Sequence, residues 1–164
     1  MKLYLDNNIV SAIAKNDTPT ETDALKLLLK AWDERKVDLV TSELTLREIE
    51  AYQHELQRLL VEQTYQRLTK VPMVRWDELA GMHSYGDQRT WITTPIINND
   101  PDYSALLALD LEIVDAQHLF VAIKNGCDVF LTCDRPIGRR APAIEKNFGL
   151  LVQKPSQLVS AQGW

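Results

Sequence analysis

The sequence predicts an α/β protein built on a mainly parallel central sheet with helices over both faces. Short continuous apolar blocks, Leu3-Tyr4-Leu5, Val37 to Thr41, Val129 to Thr132 and Leu150 to Val152, read as strands buried on both sides rather than strands with one wet face. Longer segments between them carry apolar residues at helical spacing. Capping and turn residues separate the two patterns, and their alternation is that of β–α units. In such sheets ligands bind beyond the carboxyl ends of the strands. Asp6 and Asp134 follow two of the blocks there.

The first strand ends at Asp6, and Asn7, Asn8 and Ser11 suit a strand-to-helix turn. Thr18-Pro19-Thr20-Glu21 predicts a helix start, with Thr18 as N-cap, Pro19 at the first helical position and Glu21 closing a capping box. Leu25, Leu28, Leu29 and Trp32 continue that helix to about Arg35 and Lys36. Val37 to Thr41 is a second strand with Ser42 at its end. From Leu44 the spacing is helical again, placing Ile49, Tyr52, Leu56, Leu59 and Leu60 on one stripe, in one helix or two to about Thr69.

Pro72 to Trp76 fits either a loop or a helix entry, and residues 81–101, rich in Gly, Asn, Asp, Thr and Pro, predict loop with short helical pieces. A loop of that length marks a lid or a partner surface. Tyr103 to Leu109 predicts a short helix, and Glu112 to Asn125 a longer one stopped by Gly126. After the strand ending at Asp134, Pro136 and Gly138 predict a loop; Leu150 to Val152 is a last strand and Pro155 opens a terminal helical turn.

A chain of 164 residues with 45% hydrophobic and 25% charged residues is expected to form one domain over 1–164 with a real core. Asp6 breaks any apolar run behind Met1 and Lys2, which argues against a secretory leader, and no segment reaches the roughly 18 apolar residues of a membrane span. Cys127 and Cys133 have neither the number nor the spacing of a disulfide framework or zinc site, so a reducing cytoplasm is the expected setting. The net charge of −5 argues at first against a nucleic-acid partner. Charge is segregated, however: residues 97–115 hold five acids and no Lys or Arg, whereas residues 134–164 hold five basic residues against two acids.

Asp6, Glu48, Asp115 and Asp134 each have an ordinary explanation. Asp6 suits a helix cap, Glu48 closes a capping box begun at Thr45, Asp115 favours a helix dipole from the first turn, and Asp134 precedes Arg-Pro as a turn residue. Together they fall at element ends that a parallel sheet brings to one edge. Thr132 and Asp134, two apart, face the same side of an extended strand. Carboxylates about 5 Å apart repel by roughly 3 kcal/mol per pair at an effective dielectric near 20. A hard divalent cation with oxygen ligands relieves this, and Mg²⁺ or Mn²⁺ suits carboxylates best.

The segments LYLDNN (3–8), SELTLRE (42–48) and DAQHLFVAIKNGCDVFLTCD (115–134) resemble the three signature regions of the PIN-domain family. The matches are Asp6 with Asn8, Ser42 with Glu48, Asp115-Ala116 with His118, and Thr132 with Asp134. Asn7 stands where that family more usually has a small hydroxyl residue, and residues 81–104 match no assignable pattern.

The resemblance implies a three-layer α/β/α domain and hydrolysis of RNA to 5′-phosphate and 3′-hydroxyl ends with Mg²⁺ or Mn²⁺. It implies Asp6, Asp115 and Asp134 as metal ligands, and Glu48 as a ligand through water or an orienter of the nucleophile. Asn8, Ser42 and Thr132 would support them. Many small members are VapC-type toxins of toxin–antitoxin pairs, commonly homodimers held inactive by an antitoxin.

Other residues have two readings. His118, one turn after Asp115, is either structural with a hydrogen bond to it or a general base. Glu112 is a solvated helix residue or a peripheral acid, and Glu43 a possible substitute for Glu48. Arg135, Arg139 and Arg140 hold RNA phosphates or sit in a solvated loop. The alternatives are a catalytically silent scaffold of the same fold that binds RNA or protein, and a haloacid-dehalogenase-type phosphatase. The phosphatase needs a second Asp where Asn8 stands, and no G-x-x-x-x-G-K-[ST] run supports a P-loop enzyme.

Overall fold

The structure is a computed structural model that describes residues 1–16, 18–73 and 100–164. The expected loop over 81–101 falls outside the described residues up to its last two positions, as does most of the ambiguous Pro72 to Trp76 segment.

Five strands form one sheet: β1 (Lys2–Leu5), β2 (Asp38–Thr41), β3 (Thr69–Lys70), β4 (Val129–Leu131) and β5 (Leu151–Gln153). Their order is β3-β2-β1-β4-β5 and every pairing is parallel. Strands β2 and β3 extend to one side of β1 and β4 and β5 to the other, so the winding reverses between β1 and β4. Leu5 pairs with Leu131 at that seam, and both chains leave the sheet there. A reversal of this kind opens a crevice at the carboxyl edge.

Side-chain alternation divides the core. Leu3, Leu5, Leu39, Val129 and Leu131 face one apolar cluster, completed by α1 (Asn7–Lys15), α2 (Thr22–Asp33), α4 (Glu55–Arg67) and α8 (Pro155–Gln162). Tyr4, Val40 and Phe130 face the other, completed by α5 (Pro101–Leu107), α6 (Ile113–Lys124) and α7 (Arg135–Phe148). Helix α3 (Glu43–Glu50) bridges them, sending Ile49 to the first cluster and Leu44 to the second. The expected three-layer α/β/α arrangement is therefore present, with an entirely parallel sheet.

The structure corrects several local expectations. Asn7, Asn8 and Ser11 do not form a turn; they belong to α1, which Asp6 caps. The Thr18 capping box does not form, because α2 starts at Thr22 and the Glu21 carboxylate instead accepts from the Ser156 backbone N–H at 2.8 Å and hydroxyl at 2.9 Å. Glu48 closes no capping box at Thr45: α3 begins at Glu43, capped by Ser42. The expected Pro136–Gly138 loop is the start of the 14-residue α7. Proline is tolerated in a first turn, where its missing N–H has no intrahelical partner to lose.

Candidate metal centre

Asp6 follows β1 directly, and its backbone N–H still bonds to Leu131 O on β4 at 3.1 Å. Its carboxylate accepts from Asn7 N–H at 2.7 Å through Oδ1, and from the Asn8 amide and the Thr132 hydroxyl through Oδ2. Thr132 Oγ1 in turn accepts from Asn8 Nδ2 at 2.9 Å and Asp134 N–H at 3.0 Å, while Asn8 Oδ1 accepts from Cys133 N–H at 3.0 Å. Asn8 thus ties the end of β1 to the end of β4 as donor and acceptor at once. A second aspartate there would lose the donors and add repulsion, so position 8 offers an amide where the phosphatase reading needs an acid.

Asp134 caps α7 through Ile137 N–H at 3.0 Å, and Asp115 lies in the first turn of α6. Three helix N-termini converge on one place, each with its own carboxylate. The dipoles stabilise those charges by about 0.3–1 kcal/mol each. Glu48 reaches the same place from α3. A polar cavity of about 380 Å³ is lined by Asp6, Glu48, Asp115 and Asp134, with Asn7, Asn8 and Tyr52 among its other walls.

Among the described residues, none of the four acids pairs with a lysine or arginine. Burial, then the charges of Asp6, Asp134 and Glu112, push Asp115 up to about 6. Burial likewise raises Asp6, against the nearby His118 and then the hydrogen bond from Thr132, which lower it. No group of three His, Cys, Asp or Glu side chains among the described residues is already drawn in around a single point. The donor set nonetheless suits a hard cation such as Mg²⁺ or Mn²⁺, which keeps several waters and needs only one or two direct carboxylates.

Other expected residues separate. Ser42 and Thr132 are buried behind the cavity rather than in it. Glu43 points outward to Arg47 at 3.4 Å and lines no wall of the cavity, which leaves Glu48 as the acid from α3. His118 bonds to Glu48 and Tyr4, not to Asp115. Arg135 and Arg139 lie on α7 rather than in a loop, and line a second cavity of about 350 Å³ that shares Asp134 with the first. Arg140 instead reaches Asp110 at 3.2 Å.

The sequence reading missed Lys154, Gln153 and Gln157 in that second cavity. They arrive there because β5 pairs with β4, Leu131 opposite Gln153. Gln153 Oε1 is buried without a hydrogen-bond partner among the described residues.

The five-stranded parallel sheet between two helical layers is consistent with a PIN-like fold. A structural comparison agrees: the chain matches one from the crystal structure of VapBC2 from Rickettsia felis bound to a DNA fragment from their promoter, with a TM-score of 0.56, 14% identity, and coverage of 94% of this chain and 98% of that one. At that identity the likeness concerns the fold. No protein-family model and no curated protein sequence matches.

Proposed function

We propose that this chain is a metal-dependent endoribonuclease, and specifically the VapC-type toxin of a type II toxin–antitoxin pair. The carrying observation is the cavity at the sheet reversal that Asp6, Glu48, Asp115 and Asp134 line without a lysine or arginine partner among the described residues. The fold likeness to a chain of VapBC2 supports the toxin assignment, and with it an antitoxin partner; the homodimer rests on the family resemblance alone.

On this reading Asp6, Asp115 and Asp134 hold Mg²⁺ or Mn²⁺, directly or through water. The cation supplies polarisation of a phosphoryl oxygen and a more acidic water. Glu48 orients the attacking water and accepts its proton. Asn8 and Thr132 keep Asp6 aimed at the cavity, and Ser42 supports Glu48 from behind. Arg135, Arg139 and Lys154 take the phosphates flanking the scissile bond along the second cavity.

The test is cleavage of single-stranded RNA by purified protein with Mn²⁺, beside Asp6→Asn and Asp134→Asn. Loss of cleavage in both variants is expected. Equal cleavage by all three would mean a contaminant or another site. A neighbouring open reading frame for a small DNA-binding protein is expected for the antitoxin.

A further inference from the structure

We propose that His118, Tyr4 and Asn7 are positioning residues that clamp the Glu48 carboxylate, one oxygen through a hydrogen-bond chain of fixed direction in the buried Tyr4, Ser42 and His118, the other through the half-buried Asn7 amide. The inference rests on the nuclease reading only for what Glu48 then does.

Glu48 Oε1 lies 2.6 Å from His118 Nε2, and Glu48 Oε2 lies 3.2 Å from Asn7 Nδ2. Behind the imidazole, His118 Nδ1 lies 2.8 Å from the Tyr4 hydroxyl, which lies 2.6 Å from Ser42 Oγ. Ser42 Oγ accepts from Leu44 N–H at 3.3 Å. Tyr4, Ser42 and His118 are all buried. On the other side, Asn7 and Tyr52 exchange contacts at 3.3 and 3.4 Å.

The carboxylate end of the chain sets its direction. An ionised carboxylate can only accept, so His118 Nε2 carries a proton and donates it to Glu48. With the ring neutral, Nδ1 is then an acceptor and takes the single Tyr4 O–H proton; Tyr4 in turn accepts from Ser42, whose oxygen also accepts from Leu44 N–H. Every atom is satisfied with the ring neutral, so no charge is needed in a residue only 1% exposed. The opposite tautomer would set a bare Nε2 lone pair against a carboxylate oxygen 2.6 Å away. Ring packing fixes the same geometry independently: Tyr4 stacks on Phe130 with centroids 5.3 Å apart and meets the His118 ring edge-on at 5.8 Å.

The clamp distinguishes Glu48 from the other acids. His118 shares α6 with Asp115, and Asn7 is next to Asp6 in the chain. Glu48 is thereby held from the two segments that carry two of its neighbours in the cavity. Each of its oxygens already accepts one hydrogen bond, which leaves the remaining lone pairs aimed by protein rather than by solvent. This suits a water-orienting base better than an unsupported metal ligand. It also gives Asn7 a use that a shorter hydroxyl side chain would not reach.

The experiment uses Tyr4→Phe, His118→Leu and His118→Gln in the full chain. A glutamine amide can accept from Tyr4 and donate to Glu48 in the same direction without a titratable ring. Tyr4→Phe and His118→Leu are expected to lower kcat about ten-fold or more on single-stranded RNA with Mn²⁺, with KM within about two-fold. His118→Gln is expected to recover most of that loss.

Wild-type kcat in His118→Leu, or no recovery in a folded His118→Gln, overturns the clamp. If the wild type itself cleaves no RNA, the nuclease reading fails alone, and ¹⁵N NMR of the imidazole decides the clamp. A proton on Nε2 of His118, with a resonance that moves in Glu48→Gln, supports it. A proton on Nδ1 alone overturns it.

Discussion

The Thr132 hydroxyl donates to Asp6 Oδ2 at 2.7 Å across 126 positions of sequence, and this bond joins the ends of the two strands between which the sheet reverses. The same oxygen accepts from Asn8 and Asp134, so one hydroxyl organises both aspartates that cap helices at the cavity. Thr132→Val keeps the shape and removes every one of these bonds. It should cost about 1–3 kcal/mol in urea unfolding, because buried donors are left without a partner. Thr132→Ser should cost less. Because the Thr132 bond lowers the Asp6 pKa, its loss should raise that pKa further. Cleavage of RNA by Thr132→Val should then fall off at a higher pH than in the wild type.

Asp115 predicts the pH dependence of the cation-free protein. Its pKa rises from 3.8 to about 6 on folding. Across that window the folded state keeps a proton that the unfolded chain has released, so stability falls as pH rises and stays at the lower level above about 6. After allowance for partial solvent access the loss should be about 1–2 kcal/mol. Urea unfolding in EDTA should show a steeper slope in the wild type than in Asp115→Asn, where the raised Asp6 still contributes, and Asp115→Asn should be the more stable of the two at pH 7. Mn²⁺ should reverse the sign, since it binds the carboxylate form, and its stabilisation should grow through pH 6. An identical slope in Asp115→Asn would move the uncompensated charge elsewhere.

The three arginines after Asp134 should separate in RNA binding. Arg139 lines the second cavity with Lys154, whereas Arg140 is paired with Asp110. Arg139→Ala and Lys154→Ala should each weaken binding of single-stranded RNA and lower the salt dependence of log K by about 1 per lost phosphate contact. Arg140→Ala should leave both within error. Binding by an Asp6→Asn background across a salt series measures this without cleavage.

Legibility followed the range of the forces involved. Strands β1 and β4 and helix α6 could be read locally: two continuous apolar blocks, and a helix closed by Gly126 at φ +62, which glycine adopts freely. Helix α1 could not, because Asn7 and Asn8 mimic turn residues and their amides bond to Glu48 and Thr132, far along the chain. Helix α7 was hidden by Pro136, Gly138 and Pro142, although Asp134 before a first-turn proline was itself a helix-start signal. Glu48 was read as belonging to a helix start and lies inside α3, but Asp6, Asp115 and Asp134 were legible as ends of elements. Neither the His118–Glu48 bond nor the place of Lys154 was, since one joins residues 70 apart and the other depends on β5 lying beside β4.

Helix α4 tests the limit of reading periodicity. Leu56, Leu59 and Leu60 continue a stripe with Ile49 and Tyr52, yet they are 78, 44 and 49% exposed. The chain breaks between α3 and α4, so the phase of the stripe is lost, and Val61, Tyr65 and Leu68 face the core instead. Apolar spacing is a prior that packing decides. Leu56→Gln and Leu60→Gln should therefore change unfolding stability by no more than about 0.5 kcal/mol. Val61→Ala, at a position with no solvent exposure, should cost about 1–3 kcal/mol. Urea midpoints for the three variants order the two faces directly, and a larger loss at Leu60 than at Val61 would put the helix in the opposite phase.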